Sequence, residues 1–200
     1  MSSVVSKIFE MCLLDSYSDI LYSDDLQFGF KKGLGCSNAI YSVKSVCDYY
    51  ISRGSTVNIC CLDISKAFDK VNHYILFCKL MNRKAPVEFI DVLLNWYSRC
   101  TYCVRVGMVL SQEFRSVCGV RQGGVLSPIL FAIYMNDIVT QLKAKRLGCC
   151  IGDLYVGCVM YADDLILMTS SLIMLQKMID VCVVEATNEL DMAFNAKNQL

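Results

Sequence analysis

The chain has 200 residues, 55% of them hydrophobic, and its 19 basic and 19 acidic side chains give a formal net charge of zero. This balance neither supports nor excludes a nucleic-acid partner. The apolar share is above the about 45–50% of ordinary globular domains, yet no apolar run reaches the about 18 uncharged residues that a membrane span needs. We therefore expect an intracellular chain without a membrane partner, forming part of a larger protein.

Thirteen cysteines are scattered along the chain, and His73 is the single histidine. An odd number of cysteines without a secretory signal indicates free thiols in a reducing compartment. We expect most of them to act as small core residues, and we predict no zinc site.

Hydrophobic periodicity predicts an alternation of helices and strands. The first half of the chain is predicted to contain a helix over 2–21, a glycine-rich basic loop over 27–35, a helix over 38–52, a strand over 57–62, and helices over 72–82 and 86–99. A hairpin formed by 102–108 and 113–120 and a glycine loop over 121–127 are predicted to follow. The last predicted elements are a helix over 128–145, strands over 154–161 and 165–169, and a helix after Ser170. This order predicts an α+β fold, with an antiparallel sheet covered by helices on one face.

Three aspartates stand where predicted apolar strands end. Asp63 follows the strand over 57–62, and Asp163 and Asp164 separate the strands over 154–161 and 165–169. An Asp-Asp pair can be an ordinary hairpin turn, but tight hairpins favour glycine and none stands between Tyr161 and Leu165. If the segments are neighbours, the carboxylates converge on a site that suits magnesium and two-metal phosphoryl transfer.

Five sequence boxes in a fixed order resemble those of reverse transcriptases from retrotransposons without long terminal repeats, the LINE-like group. The boxes are Ser-Lys-Ile-Phe-Glu at 6–10, Gln-Phe-Gly-Phe-Lys-Lys-Gly at 27–33, Leu-Asp-Ile-Ser-Lys-Ala-Phe-Asp with a following Asn-His at 62–73, Arg-Gln-Gly-Gly-Val-Leu-Ser-Pro at 121–128, and Tyr-Ala-Asp-Asp at 161–164. Together they span nearly the whole chain. Group II intron enzymes share the general plan.

The resemblance implies a single reverse transcriptase domain, with partial fingers at 1–55, a palm at 56–200 and a possible fingers insertion within 72–100. The thumb and other retroelement domains would be missing from this segment. The implied activity is RNA-directed DNA synthesis from dNTPs on an RNA template and a DNA primer, with two Mg²⁺ ions, or Mn²⁺ in their place.

The resemblance also implies roles for individual residues. Asp63 and Asp163 would hold both metals, Asp164 would be the third carboxylate, and the backbone of Ile64 would complete one metal shell. Phe68 would be a steric gate against ribonucleotides. The remaining assignments are Gln122 and Gly123 in the nucleotide pocket, Lys31 and Lys32 on the triphosphate or template, Tyr161 and Ala162 beside the primer, and Lys197 as the general acid.

Plainer interpretations remain open for several of these residues. Phe68 could be a core aromatic, the Gln122–Gly123 pair an ordinary turn, and the two lysines a solvated face. For the whole chain, the alternatives to a polymerase are an inactive nucleic-acid-binding remnant and a structural module in an apolar assembly.

Overall fold

A computed structural model describes residues 4–195. The helices are α1 (Val4–Ser16), α2 (Cys36–Ile51), α3 (His73–Asn82), α4 (Val87–Arg99), α5 (Ser127–Ala144) and α6 (Leu172–Val184), with a 3₁₀ turn at Ala67–Lys70 and a π turn at Glu185–Glu189. The strands are β1 (Asn58–Leu62), β2 (Thr101–Tyr102), β3 (Arg105–Val106), β4 (Val109–Leu110), β5 (Phe114–Arg115), β6 (Cys150–Ile151), β7 (Leu154–Tyr155), β8 (Cys158–Tyr161) and β9 (Asp164–Thr169). The predicted α+β class is confirmed.

The central sheet has the strand order β1-β9-β8, and both pairings are antiparallel. Leu62 at the end of β1 pairs with Leu165, and Tyr161 at the end of β8 pairs with Asp164. Alternate side chains of a strand point to opposite faces. Leu165 and Leu167 therefore face the main core, whereas Ile166 joins a second apolar cluster on the other face.

Helix α5 is the centre of the main core. Its residues Leu130, Tyr134 and Ile138 are buried, and it packs against α3, α6 and β8. The Tyr134 hydroxyl donates a hydrogen bond to the Leu190 carbonyl at 2.6 Å, and desolvation raises the pKa of this phenol to about 12. A helix that is apolar on nearly all sides must be enclosed by other elements, which fixes α5 in the interior.

Helix α2, within the segment predicted as fingers, covers the opposite face of the sheet at β8. Ala39 and Val46 are buried against Val159 and Met168, and the Tyr50 hydroxyl donates to the Cys150 carbonyl at 2.8 Å. The expectation of helices on one face is correct for α5 and α6. It is wrong for the sheet as a whole because α2 buries the second face beside β8.

Three predicted elements differ from the structure. The first helix ends at Ser16 and not at Leu21. The predicted strand over 154–161 is two strands, because Gly157 packs its backbone against Gly148 and the chain bends there; a Cβ atom on Gly157 would lie 2.9 Å from the Gly148 Cα. In the predicted hairpin, the chain already reverses direction within the segment predicted as the first strand. The reversal is at Gly107, whose φ of 60° suits glycine.

The cysteines are less buried than the sequence suggests. Residues 4–195 contain all thirteen cysteines, and each is a free thiol. Cys149, Cys158 and Cys182 are buried, whereas the other ten are partly or fully exposed. Cys100 and Cys103 have Cys-x-x-Cys spacing, but no group of three metal-binding side chains forms around them or elsewhere within residues 4–195.

No helix within residues 4–195 combines the length and the apolar character needed to cross a membrane.

Candidate active site at one end of the sheet

The sheet register brings the three predicted aspartates to one end of the central sheet. Asp63 directly follows Leu62, the partner of Leu165, so the next position along β1 lies beside Asp164. Asp163 occupies the turn between β8 and β9. Asp63 and Asp163 both line one cleft of about 570 Å³.

Asp164 responds to the charge of its neighbours. Partial burial, followed by the negative charges of Asp163 and Asp63, raises the pKa of the Asp164 carboxyl above its ordinary value. Mutual repulsion among carboxylates is characteristic of sites that a cation stabilises. The electrostatics thus link Asp164 to the other two aspartates, although Asp164 is exposed.

This raised pKa gives a prediction for stability. A carboxyl whose pKa is higher in the folded chain makes folding less favourable as the pH rises past its ordinary value of about 3.9. In a metal-free buffer at pH 7, we expect Asp164→Asn to raise the melting temperature by about 1–3 °C. Differential scanning calorimetry with a chelator should show the gain shrinking as the pH falls toward 4.

The matched control is Asp153→Asn in the exposed turn between β6 and β7. It removes one carboxylate away from the cleft, so we expect no comparable gain. A lower melting temperature for Asp164→Asn than for the unmodified chain at pH 7 would contradict the repulsion.

Residues that were not among the predicted site residues complete the cleft. Ser65, Lys66, Lys70 and Asn195 line it together with Asp63, Ile64 and Asp163. The lysines belong to the same box as Asp63, so their place in the sequence could have indicated them. Asn195 could not be found in this way because its contact with Asp63 spans 132 positions of the chain.

Asn195 is held beside Asp63 by main-chain pairing. Its N–H donates to the Asp63 carbonyl at 2.7 Å, and Ile64 forms an isolated antiparallel bridge with Phe194. The backbone carbonyl of Asp63 is therefore already bonded, and the chain just after β1 is held beside residues 194–195.

The donor chemistry of the cleft fits a hard divalent cation. Asp63 and Asp163 offer carboxylate oxygens to the same cleft, and magnesium commonly uses one or two carboxylates with water and substrate oxygens. Within residues 4–195, however, no three acidic, His or Cys side chains are gathered closely enough to hold a metal ion by themselves. The residues fit an open site that substrate completes.

The turn that carries Asp163 has a specific backbone conformation. Ala162 has φ of 59°, in the left-handed region, which is uncommon for a residue other than glycine. Tyr161 is partly buried and packs in the cluster beneath α2. Both residues assigned to the primer side therefore lie next to Asp163, at the rim of the sheet.

Phe68 lies in the 3₁₀ turn after Asp63 and is half-buried. Its ring stacks on Phe131 at 4.5 Å between centroids and meets Phe30 edge-on at 5.8 Å. The Phe68 carbonyl accepts a hydrogen bond from the Val120 N–H at 2.8 Å. The Phe68 ring packs on Phe131 but remains partly exposed, so it is compatible with both the gate and the core interpretation.

The glycine loop contacts the 3₁₀ turn that contains Phe68. The Gln122 side chain donates to Asp69 at 3.0 Å and lines a neighbouring cavity with it, while Gly123 has φ of 82°. Neither residue lines the cleft of Asp63. The structure thus places Gln122 beside Asp69 and not among the residues that line the cleft of Asp63 and Asp163.

Glu10 anchors this loop, and its role was not apparent from the sequence. The carboxylate is buried, accepts hydrogen bonds from the Val125 and Leu126 N–H groups ahead of α5, and lies 3.6 Å from Arg121. A negative charge is favourable at a helix N-terminus. Helix α1 is tied to the start of α5 through this side chain.

The basic residues that were predicted to contact substrate do not meet at the aspartate cleft. The Lys31 ammonium donates to the Asp24 carbonyl at 2.6 Å and lies 3.8 Å from Asp25, and desolvation lowers its pKa. Lys32 is exposed. Neither lines the cleft of Asp63 and Asp163, and Lys197 lies outside the described residues.

Comparisons with known proteins agree with the resemblance seen in the sequence. Residues 2–197 match the profile of the family described as "Reverse transcriptase (RNA-dependent DNA polymerase)". The Pol polyprotein of the type-2 retrotransposable element R2DM from Drosophila melanogaster is 31% identical over 157 residues, which are 78% of this chain and 15% of that protein. The polymerase of the mobile element jockey from Drosophila funebris is 30% identical over 164 residues, 82% of this chain and 16% of that protein.

A solved structure extends the comparison to the fold. Telomerase from Candida tropicalis, in complex with a fragment of telomeric RNA, aligns with a TM-score of 0.71 at 14% identity, covering 98% of this chain and 33% of that one. The expected similarity to the polymerases of retrotransposons without long terminal repeats is confirmed. The chain spans about a sixth of the length of the curated relatives it matches.

Proposed function

The chain belongs to the reverse transcriptase (RNA-dependent DNA polymerase) family, and we propose that it forms the palm and partial fingers of a polymerase that copies RNA into DNA with two Mg²⁺ ions. The observation that carries the proposal is the shared cleft of Asp63 and Asp163, with Asp164 beside it. The domain split at residue 56, the metal ligands and the substrate contacts are part of this proposal.

In the proposed reaction, the primer 3′ oxygen bonds to the α-phosphorus of a dNTP. The bond from that phosphorus to the bridging oxygen breaks, pyrophosphate leaves, and the hydroxyl proton passes to solvent. Bound at Asp63, the Ile64 carbonyl, Asp163 and Asp164, magnesium would supply charge stabilisation for the attacking and leaving oxygens. The protein contributes position and a fixed electrostatic environment.

The charges that line the cleft support the binding of an anionic substrate together with metal cations. Lys66 and Lys70 line the same cleft as Asp63 and Asp163. The aspartates can hold divalent ions while the ammonium groups lie within reach of phosphate oxygens. A cleft with both signs of charge suits a metal-bound triphosphate better than an uncharged ligand.

Primer extension tests the proposal directly. An RNA template annealed to a DNA primer, with dNTPs and the 200-residue chain, should yield extended product when Mg²⁺ or Mn²⁺ is added and none when a chelator is present. Binding of the annealed duplex without extension, at any metal concentration, would favour the inactive remnant instead. Binding that does not weaken with added salt would count against both, because phosphate contacts depend on salt.

A further inference from the structure

Gln27 is a buried polar residue next to the aspartate turn. Its exposed fraction is 1%, and it forms an isolated parallel bridge with Met160 in β8. The Phe28 N–H donates to the Met160 carbonyl, and the Met160 N–H donates to the Leu26 carbonyl, both at 2.8 Å. The segment around Gln27 therefore extends the edge of the sheet beside β8.

The Gln27 side-chain amide bonds both main-chain groups of Ala162. Its Oε1 accepts from the Ala162 N–H at 3.1 Å, and its Nε2 donates to the Ala162 carbonyl at 3.1 Å. The same Oε1 also accepts from the Gly29 N–H at 2.9 Å. Because Ala162 directly precedes Asp163, this amide fixes the peptide groups from which the first aspartate of the turn projects.

Gly29 closes the contact from the other side. A Cβ atom there would lie 2.4 Å from the Ala162 backbone nitrogen, so a larger residue would displace the turn. Ala162 itself has a left-handed φ of 59°, a conformation that needs support from its surroundings. Gln27 and Gly29 together supply that support.

We propose that Gln27 and Gly29 are positioning residues that set the placement of Asp163 and Asp164 for metal binding. The inference rests on the proposed function, since it assigns a purpose to the geometry of the same aspartates. Unlike a purely structural role, it requires that weakening the contact lowers metal affinity while the folded core stays intact. Groups that orient ligands typically alter metal affinity by about 10–100-fold when removed.

The test measures Mn²⁺ binding to the 200-residue chain by electron paramagnetic resonance, without nucleotide or primer. Gln27→Met keeps the side-chain length but removes all three hydrogen bonds. Gly29→Ala keeps the glutamine but pushes on the Ala162 backbone and, less closely, on the Gln27 Oε1. Each should weaken Mn²⁺ binding about 10-fold or more. The far-ultraviolet circular dichroism spectrum should remain that of the unmodified chain.

Two controls separate positioning from general loss of stability. Gly54→Ala places alanine at a φ of +75° with open space beside it among the residues described, so it strains the chain but should leave Mn²⁺ affinity unchanged. Gln176→Met alters an exposed glutamine on α6 and should also have no effect on binding.

The outcomes distinguish this inference from the proposed function. If the unmodified chain binds Mn²⁺ and Asp163→Asn abolishes the binding, but Gln27→Met and Gly29→Ala bind as the unmodified chain does, the positioning role is wrong and the metal centre stands. Equal weakening by Gly54→Ala would also overturn the positioning role. If the unmodified chain binds no Mn²⁺, the metal centre and the inference that depends on it both fail.

Discussion

Asp63→Asn and Asp163→Asn are each expected to reduce metal-dependent nucleotide incorporation by about three orders of magnitude or more. Each substitution replaces a carboxylate with a neutral amide of the same shape in the shared cleft. In the proposed reaction, the transition state would then lose a cation that neutralises its charge, while the packing of β1 and β8 should be unchanged. Single-nucleotide primer extension over a range of Mg²⁺ concentrations measures the loss.

Asp153→Asn provides the matched control, since it makes the same chemical change in an exposed turn of the same chain. It should retain full incorporation, and all three variants should retain the circular dichroism spectrum of the unmodified chain. Incorporation by Asp63→Asn or Asp163→Asn at the unmodified rate would remove the central premise of the proposed function.

The elements around the aspartates could be predicted because their sequence signals are local. Asp63 ends a short apolar strand, and Asp163 and Asp164 interrupt a long apolar stretch, so placing them at strand ends needed only burial and alternation. Their proximity across 100 residues followed from the resemblance. It agrees with the register that pairs Leu62 with Leu165.

The contacts that hold the site could not be predicted because they are made by distant parts of the chain. Gln27 and Glu10 belong to two of the sequence boxes, but the boxes do not indicate that both side chains are buried against the main chain of segments more than 100 residues away. A buried polar side chain needs a partner, but the sequence does not name the partner. The bend at Gly157 depends on the close approach of Gly148, nine positions earlier, which no periodicity in the sequence indicates.

Phe68→Val is expected to reduce discrimination against ribonucleotides by about 10–100-fold, the usual range for a change in pocket volume. Phe68 follows Asp63 by five positions, and its ring is backed by Phe131, so it cannot retreat from an added 2′-hydroxyl without disturbing the core. Valine would open space above the same backbone. The ratio of kcat/KM for dGTP to that for rGTP, measured on one template position, gives the effect.

The effect of Phe68→Val on folding stability must be separated from its effect on nucleotide selectivity, because Phe68 also packs on the core. Shortening a half-buried phenylalanine is expected to lower the free energy of unfolding by about 1–3 kcal/mol. Phe77→Val serves as the control, since Phe77 is a buried aromatic that packs on Tyr97 and does not line the aspartate cleft. If Phe68→Val matches Phe77→Val in lost stability and leaves the nucleotide ratio unchanged, Phe68 is a core aromatic and the gate lies elsewhere. If the ratio falls only for Phe68→Val, the partly exposed ring selects the sugar.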